Sequence, residues 1–466
     1  MEVKKDIKEV KLREKPKLTK QLGGNRKSFR RSKQGGYPQP DISNYNDFTM
    51  DMFATAQGIE LEEVEGFNQV VKAIRSAGCY TYEVPRMQAQ TPETVIVREH
   101  NEQLKVLNFT NYNYLGYGYH PEVIAAAKQA LDQYGLGAGA SPISGGTLLL
   151  HKQFEQQLIE FIGLKDYGAS LFSSGYGANL GTISAYIKPG NHVVLDQASH
   201  MSLIEGAQLA GAQVAYFKHN NMTHLEKILQ RIADGKTRIL VCTEGVYSAD
   251  GDYGKVRDIV KLAKQYHASV LVDEAHSMLL AGPTGRGVCE DQGVLGEVDL
   301  IVLTFSKSLA GVGGCLIARK EITQYVNFYA RCRMFSCALD PAVTGGMLKA
   351  LELAGSPDGA QRRQKLRENA AYLRSLLQGK VNIGESMSWI VPVIYGSEKM
   401  ALPLSNHLQH HGIDVSMMVY PSVPLNRARI RMFVTSEHTQ AQLDRAAQLI
   451  IEAAQKFGFY TGNTGE

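Results

Sequence analysis

Apolar residues follow a helical period where the patterned part of this chain begins. Val64, Phe67, Val71 and Ile74 are three or four residues apart, so they line one face of a helix. Gly78 follows as a stop signal. The pattern predicts an amphipathic helix that ends at Gly78.

The period then changes to one typical of strands. Residues 94–97 and 104–109 predict a hairpin with its turn near 100–102. Between Pro121 and Ala318, short β-rich runs alternate with helical stretches such as 256–266. The predicted strands are residues 192–195, 214–217, 239–243, 269–272, 300–304 and 315–318. Because these runs lack strict alternation, we expect strands buried on both faces, and therefore an α/β fold with a mainly parallel sheet.

After Pro341 the pattern predicts a helix and then a smaller α+β region. Its strands are expected near 389–393 and 429–434, and its last helix over 439–457. Four parts follow from these patterns. The first is a basic, polar extension over 1–58, which we expect to be disordered or loosely docked. The others are a helix and hairpin segment over 59–120, a large domain over 121–340 and a small domain over 341–466.

Composition narrows the class of protein. The chain has 466 residues, of which 44% are hydrophobic and 21% charged, as in soluble globular proteins. Six Cys without a CxxC pair argue against a disulfide scaffold or zinc module, so we expect a reducing compartment and no metal site. The longest uncharged stretch, 167–187, is rich in Gly and Ser and does not predict a membrane span. With no apolar signal-peptide core near the N-terminus, we expect a cytoplasmic protein.

Charge is concentrated at the N-terminus. Residues 1–33 carry 13 Lys and Arg against four Asp and Glu, a net of +9, whereas the whole chain carries +4. Such an arm could contact nucleic acid, an anionic lipid surface or an acidic carrier protein. Only Phe29 interleaves these charges, which favours a solvated tail over nucleic-acid binding. Peripheral membrane contact stays an open alternative.

Lys307 lies where a buried strand ends. Residues 301–314 have the sequence IVLTFSKSLAGVGG, an apolar strand that leads through Thr304 into a Gly-rich loop. Burial lowers the pKa of a lysine and frees its amine as a nucleophile toward a carbonyl. The hydroxyls of Thr304 and of the neighbouring serines suit phosphate oxygens. The alternative is a solvated loop lysine.

Asp273 ends another predicted strand, in the segment LVDEAHS (271–277). A buried carboxylate needs a partner, which could be a protonated pyridine nitrogen or an Arg or Lys. His276, three residues later, could reach the same ligand. Asp273 and Lys307 are 34 residues apart, and such a pair is what a pyridoxal phosphate (PLP) enzyme needs to hold the ring nitrogen and the aldehyde carbon.

Two further segments suit a flat, phosphorylated cofactor. SSGYG (173–177) precedes a predicted helix from Ala178, and exposed N–H groups at a helix start favour phosphate. His200 follows the strand 192–195. It could stack on the cofactor ring, or it could have a purely structural role.

Together these segments resemble the α-oxoamine synthases, PLP-dependent enzymes that include serine palmitoyltransferase, 8-amino-7-oxononanoate synthase, 2-amino-3-ketobutyrate CoA ligase and 5-aminolevulinate synthase. The resemblance spans about Leu107 to Phe457. It rests on NYNYLGYG (111–118), SGGTLLLHKQFE (144–155), SSGYGANL, LDQASHMS, KHNNM (218–222), TEGVYSADGD (243–252), VDEAHS, GPTGRGV (282–288), TFSKSLAGVGG and PSVPLNRARIRM (421–432). It implies the PLP fold type I, with a mainly parallel seven-stranded sheet in the large domain and a smaller α+β C-terminal domain.

The resemblance also implies a role for individual residues. Lys307 matches the lysine that binds the cofactor covalently, and Asp273 the partner of the ring nitrogen. His276 matches the residue that hydrogen-bonds the ring 3-oxygen, and His200 the residue on the ring face. Catalytic roles are expected for Lys307, Asp273 and His200.

Further contacts are implied around these groups. The phosphate positions are Ser174, Gly175, Tyr176 and Thr304, while Glu244 and Ser248 line the cofactor. Arg431 matches the arginine that binds the substrate carboxylate, for which a guanidinium is suited. Asn113 is expected on the substrate side, although many relatives carry this Asn one place earlier, at Tyr112 here.

The chain departs from its relatives in two segments. Ala140, Ser141 and Pro142 replace a usual Gly-Ser-Arg, which removes an arginine near the substrate entrance. Residues 335–341, FSCALDP, replace a Ser/Thr-rich motif that contacts the cofactor phosphate across a dimer. Ser336 is expected to keep that contact.

The implied reaction is a decarboxylative condensation of a small amino acid with an acyl thioester, carried by CoA or by an acyl carrier protein. The motifs favour L-serine and a serine palmitoyltransferase-like homodimer, with glycine or L-alanine as alternative amino acids. An 8-amino-7-oxononanoate synthase or 2-amino-3-ketobutyrate CoA ligase activity is the alternative reaction. An aminotransferase, or a non-catalytic synthase subunit, which would lack the lysine, remain the rival interpretations.

Overall fold

A computed structural model describes residues 61–462, with side chains from Val64 onward. The predicted extension over 1–58, including its basic arm, lies outside the described residues. None of the helices between residues 61 and 462 is long and apolar enough to cross a bilayer.

The N-terminal segment contains the predicted helix and hairpin. Helix α1 (Leu61–Ser76) buries Val70 and Ile74. Strands β1 (Glu93–Val97) and β2 (Gln103–Asn108) pair antiparallel, with Thr94 opposite Val106. Both predictions are therefore confirmed. Strand β2 also pairs in parallel with a short strand of the C-terminal region, which ties the hairpin to that part of the chain.

A seven-stranded sheet forms the centre of the molecule. In chain order its strands are β3 (Tyr167–Phe172), β4 (His192–Asp196), β5 (Gln213–Phe217), β6 (Ile239–Glu244), β7 (Ser269–Asp273), β8 (Leu300–Thr304) and β9 (Gly314–Arg319). Their order in the sheet is β3-β9-β8-β7-β6-β4-β5. The five strands β4 to β8 run parallel, and β9 and β3 are antiparallel to their neighbours. The predicted α/β class and mainly parallel sheet are confirmed.

Helices cover both faces of this sheet, because its strands carry apolar side chains on both faces. Every residue of β6 and β8 is buried. The helices before and within the sheet are α2 (Pro121–Tyr134), α3 (Leu149–Ile162), α4 (Gly175–Tyr186), α5 (Met201–Leu209), α6 (Met222–Ile232), α7 (Val256–Gln265) and α8 (Val288–Asp291). Two more follow the sheet, α9 (Lys320–Tyr329) and α10 (Arg331–Met334).

The six predicted strands are all present, and β3 was not predicted. Its sequence YGASLF lies in a long uncharged run that is rich in small residues. It contains no Val, Ile or Thr, the β-branched residues that favour strands. The helix expected from Ala178 begins three residues earlier, at Gly175, because the Ser174 side chain caps it.

The C-terminal region is a smaller α+β arrangement, as predicted. Its helices are α11 (Pro341–Ala354), α12 (Pro357–Leu377), α13 (Ala401–His410) and α14 (Gln440–Phe457). Its strands are β10 (Ile390–Gly396), β11 (Ile413–Asp414), β12 (Ser416–Met418) and β13 (Ala428–Phe433), of which β10, β13 and β12 form an antiparallel sheet. Helix α11 packs on α2 so closely that a Cβ on Gly345 would lie 2.5 Å from the Cβ of Ala130. This contact crosses the predicted domain boundary at 340/341, which stays a prediction.

Candidate active site

Three polar residues end three adjacent parallel strands. Glu244 ends β6, Asp273 ends β7 and Thr304 ends β8. Glu244 lies opposite Asp273 in the sheet register. In an open α/β sheet this carboxyl edge is where ligands bind. The candidate site therefore lies at the carboxyl edge of β6, β7 and β8.

Lys307 follows β8 by three residues and points its amine toward this edge. Its Nζ lies 5.9 Å from the centre of the Tyr112 ring. Burial lowers the pKa of Lys307, and the positive charge of Arg431 acts in the same direction, although Asp273 and Glu244 oppose both. The amine is therefore more easily deprotonated than a surface lysine, as a nucleophile or base requires.

Asp273 is buried and has no cationic partner within ion-pairing distance among residues 64–462. Its Oδ2 accepts a hydrogen bond from Asn179 Nδ2 at 2.6 Å, and its Oδ1 accepts one from the N–H of Ala275 at 2.9 Å. Neutral donors thus hold the carboxylate in place. No Arg or Lys of the described chain forms an ion pair with it, which leaves the carboxylate available for a cationic group of a ligand.

His200 caps helix α5 at the same edge, with its ring partly exposed. Its Nδ1 lies 2.8 Å from Ser202 Oγ, and its backbone N–H donates to Glu244 Oε1 at 2.6 Å. Burial lowers the pKa of His200, helped by Lys307 and opposed by Asp273. Burial and Asp273 raise the pKa of Glu244 well above its ordinary value.

His276 is buried on the other side of Asp273. Its Nδ1 lies 2.8 Å from the hydroxyl of Tyr114, and its ring stacks on Phe433 with centroids 6.2 Å apart. Burial, with the charges of Lys307 and Arg431, lowers the pKa of His276 well below its ordinary value. Burial also raises the pKa of Tyr114. A protonated phenol can donate to Nδ1 and leave Nε2–H of His276 free for a ligand oxygen.

Arg431 reaches the site from strand β13. Its Nη1 donates to the Ser248 carbonyl at 3.2 Å, and its guanidinium lies over the Phe433 ring at 4.6 Å. Burial lowers the pKa of Arg431. Its Nε is buried and has no hydrogen-bond partner among the described residues. Such an unsatisfied donor suits a carboxylate, which a guanidinium binds in a bidentate manner.

The segment NYNY places Tyr112, rather than Asn113, toward these groups. The Tyr112 ring packs edge-on against Phe433 and His276, and the Tyr112 phenol opposes the effect of burial by raising the pKa of Arg431. Asn113 instead uses its Oδ1 to accept the N–H of Gly118 at 3.0 Å. This hydrogen bond closes a local turn. The predicted substrate contact of Asn113 stays a prediction, and the adjacent Tyr112 lies beside Lys307 and Arg431.

A helix start lies beside the end of β8. Ser174 Oγ accepts the N–H of Gly177 at 2.9 Å, while the first N–H groups of α4, on Gly175 and Tyr176, have no acceptor within the helix. A Cβ on Gly175 would lie 2.1 Å from Thr304 Oγ1, so glycine is needed for the helix to come this close. The helix start and the threonine hydroxyl together suit a phosphate. The Tyr176 side chain turns outward and donates to Glu205.

Ser336 lies apart from this cluster. It borders a small pocket with Pro142 and Cys337, and the N–H of Ala338 donates to the Ala140 carbonyl at 3.0 Å. The two segments in which the chain departs from its relatives are therefore in contact. The predicted role of Ser336 at the neighbouring subunit's phosphate stays a prediction, because it requires a second chain.

Comparison with known proteins decides the family. The sequence profile of the aminotransferase class I and II family matches residues 105–450. The 8-amino-7-oxononanoate synthase of Thermoanaerobacter pseudethanolicus is 33% identical over 399 residues, 85% of this chain and 98% of the relative. The serine palmitoyltransferase of Sphingobacterium spiritivorum is 33% identical over 391 residues, 84% and 95% of the two chains.

The chain belongs to the aminotransferase class I and II family. Solved structures agree with this assignment. A serine palmitoyltransferase from S. paucimobilis, with PLP and myriocin bound, matches with a TM-score of 0.80 at 32% identity over 86% of this chain and 100% of that one. The enzyme from Sphingomonas wittichii matches with a TM-score of 0.80 at 31% identity and the same coverage. The resemblance to the PLP-dependent α-oxoamine synthases is thereby confirmed.

The site fits the cofactor of this family. PLP has a phosphate, a ring nitrogen that can be protonated, a ring oxygen and an aldehyde. The site offers one group for each of these features. The start of helix α4 beside Thr304 suits the phosphate, and the Asp273 carboxylate, which has no ion-pair partner among the described residues, suits the ring nitrogen. The Nε2–H of His276 suits the ring oxygen, and the amine of Lys307 suits the aldehyde. The prediction of PLP as cofactor is confirmed.

Three residues of the site were not predicted from the sequence. Asn179 and Ser202 lie inside helices, where a single polar residue gives no signal of its own. Tyr112 was considered only as the place where relatives carry an Asn. Its role depends on strand β13, which lies more than 300 residues away in sequence.

Proposed function

We propose that this enzyme condenses a small amino acid with an acyl thioester, with loss of carbon dioxide, to give an α-amino ketone. L-serine is the favoured amino acid. The observation that carries the proposal is the grouping of Lys307, Asp273 and Arg431 around one edge of the sheet, where Asp273 and Arg431 both lie close enough to Lys307 to shift the pKa of its amine. Together they provide an amine, a partner for the ring nitrogen and a carboxylate receptor.

When bound, PLP supplies an aldehyde that captures the amino group and a protonated ring that takes up electrons from the α-carbon. Lys307 Nζ would hold the aldehyde carbon, Asp273 the ring nitrogen and His276 Nε2–H the ring 3-oxygen. Thr304 and the N–H groups of Gly175 and Tyr176 would bind the phosphate.

Lys307 is also the group best placed to move a proton. Its lowered pKa gives a larger fraction of neutral amine than an exposed lysine would have at neutral pH. In the loaded enzyme, Lys307 Nζ would be the group that takes the α-proton of the amino acid. No other amine side chain has been identified at this edge of the sheet within the described chain.

Arg431 would orient the substrate. Its guanidinium lies over the Phe433 ring, and its buried Nε has no hydrogen-bond partner among the described residues. The neighbouring Arg429 hydrogen-bonds the Ala249 carbonyl and pairs with Asp250, which fixes β13 against the loop that carries Ser248. A carboxylate bound here is held in one orientation, which favours reaction at the adjacent α-carbon.

The relatives of this chain are named for two different activities. The curated relatives include both 8-amino-7-oxononanoate synthases and a serine palmitoyltransferase at 33% identity. An 8-amino-7-oxononanoate synthase-like activity, with L-alanine or glycine as the amino acid, is therefore the second candidate. The solved serine palmitoyltransferases favour serine, with TM-scores of 0.80 against 0.65 for the 8-amino-7-oxononanoate synthase of Francisella tularensis.

We further propose a homodimer and a cytoplasmic location. Phe335 and Leu136 are 80% and 79% exposed in the single chain, which large apolar side chains avoid unless something covers them. A second copy would also bring Ser336 toward a neighbouring phosphate site. The acyl carrier, CoA or an acyl carrier protein, stays open.

The proposal is tested with a matrix of substrates. The PLP-loaded enzyme is incubated with L-serine, L-alanine or glycine in combination with acyl-CoA and acyl-carrier-protein thioesters of several chain lengths, and products are identified by mass spectrometry. The expected result is an α-amino ketone with loss of one carbon dioxide, formed fastest with serine. A product only from alanine would favour the second candidate, and amino-group transfer without acyl transfer would overturn the proposal.

A further inference from the structure

The amide of Asn179 lies between two of the proposed cofactor contacts. Asn179 is buried in helix α4, and its Nδ2 lies 2.6 Å from Asp273 Oδ2 and 3.0 Å from Ser202 Oγ. The two hydrogens of one amide nitrogen therefore serve two acceptors. The reverse orientation would turn Oδ1 toward the Asp273 carboxylate, and two oxygen acceptors would then face each other without a proton.

Ser202 continues this line of hydrogen bonds. Its Oγ accepts from Asn179, so its own O–H is free to donate to His200 Nδ1, 2.8 Å away. The backbone N–H of Ser202 also points at His200 Nδ1, at 3.3 Å. Two donors meet at this nitrogen, so it acts as an acceptor. The ring proton of neutral His200 is then on Nε2.

We propose that Asn179 and Ser202 are positioning residues that link Asp273 to His200. Asn179 fixes the plane of the Asp273 carboxylate, and Ser202 fixes the ring proton of His200 on Nε2. The buried pair of Asn179 and Ser202 thereby orients both Asp273, which would contact the ring nitrogen of the cofactor, and His200, which would contact the face of the ring. The proposal rests on the roles given above to Asp273 and His200.

This role explains two polar groups that the fold does not otherwise need. Asn179 and Ser202 are both almost fully buried, at 2% and 0% exposure. A buried polar side chain stabilises little unless its partners are in place. Their bonds converge on Asp273 and His200 and on each other.

The test uses the purified PLP-loaded enzyme and two measurements that need no substrate. They are the rate at which PLP is released, followed by the visible absorbance of the bound cofactor, and the pH midpoint of that absorbance. The variants are Asn179→Ala, Ser202→Ala and Ser202→Thr, the last of which keeps the hydroxyl. Thr182→Val is the matched control, because Thr182 is buried on the same helix and its hydroxyl has no partner among the described residues.

We expect Asn179→Ala to release PLP about tenfold faster and to shift the midpoint, because a hydrogen bond to a charged group is worth roughly one to two factors of ten. Ser202→Ala should shift the midpoint by a smaller amount, and Ser202→Thr should restore it. In the Asn179→Ala background, Ser202→Ala should have a reduced effect, because the two residues act as one unit.

Thermal unfolding of each variant separates positioning from loss of fold. Should Asn179→Ala prove unstable, Asn179→Asp keeps the volume and places a carboxylate against Asp273, with the same expected direction. The proposal is overturned if the Asn179 and Ser202 variants match Thr182→Val in both measurements, or if their effects simply multiply. Neither result depends on which amino acid or thioester the enzyme uses, so the proposed reaction is tested separately.

Discussion

The amine of Lys307 lies 5.9 Å from the centre of the Tyr112 ring, and the Tyr112 phenol is near enough to Arg431 to raise the pKa of its guanidinium. One tyrosine therefore lies close to both the proposed nucleophile and the proposed carboxylate receptor.

Removing only the Tyr112 hydroxyl should weaken binding of the amino acid. We expect Tyr112→Phe to raise KM for the amino acid by about three- to tenfold and to change kcat by less than about twofold, because the lost hydroxyl lies beside the guanidinium of Arg431 in the substrate-free and bound states alike. Steady-state kinetics measures both constants. Tyr119→Phe, a nearby half-buried tyrosine outside the site, is the control. An unchanged KM in Tyr112→Phe would show that the hydroxyl does not serve the substrate.

Asp273→Asn should preserve the fold and remove the charge that keeps the cofactor nitrogen protonated. Exchange of the amino acid's α-proton with solvent should then slow by about two or more orders of magnitude, while PLP still binds. Proton NMR of the amino acid in deuterated buffer, without acyl donor, measures this step alone. The surface variant Asp258→Asn should exchange at the native rate. Equal rates for Asp273→Asn and the native enzyme would contradict the assigned role.

His219 should stabilise the protein in a defined range of pH. Its Nδ1 and Nε2 lie 2.9 Å and 2.8 Å from Asp196 and Asp252. Burial alone would lower the pKa of His219, but these hydrogen bonds and charges raise it to about 10. Because the folded-state pKa exceeds the unfolded value of about 6.5, the stabilisation is complete below that value and disappears as pH rises through about 10.

Chemical unfolding of His219→Gln at two pH values checks this. We expect a loss on the order of 2 kcal/mol at pH 6, reduced because the pair is partly exposed, and a much smaller loss near pH 10.5. Asp252→Asn should show the same pH range, since it removes one of the two partners. A loss that is equal at both pH values would mean that packing, rather than charge, accounts for the effect.

Much of this architecture was predictable from the sequence, and the failures have physical causes. Six of the seven strands of the large sheet were predicted because their apolar runs are rich in β-branched residues, whereas β3 contains Gly, Ala and Ser and joins the sheet through antiparallel pairing with β9. Lys307, Asp273 and His276 were identified because each lies at or just after a strand end. Contacts such as Asn179 to Asp273, 94 residues apart, depend on tertiary packing that no local pattern records.

The oligomeric state gives a further prediction. We expect light scattering to give a mass twice that of the 51.3 kDa chain, because Phe335 and Leu136 need covering. Phe335→Glu should weaken the dimer, and Met387→Glu, at a side chain that is 57% exposed and lies in the C-terminal region, should not. An active particle with the mass of one chain would contradict the dimer and the proposed role of Ser336.

The most direct test of the central claim is the site of covalent attachment of PLP. The PLP-loaded enzyme is reduced with borohydride, digested and examined by peptide mass spectrometry, in parallel with Lys307→Ala and with Lys320→Ala as a surface control. We expect the cofactor on Lys307 alone, no label and no turnover in Lys307→Ala, and native behaviour in Lys320→Ala. Label on another lysine, or turnover of Lys307→Ala within about tenfold of the native rate, would contradict the account.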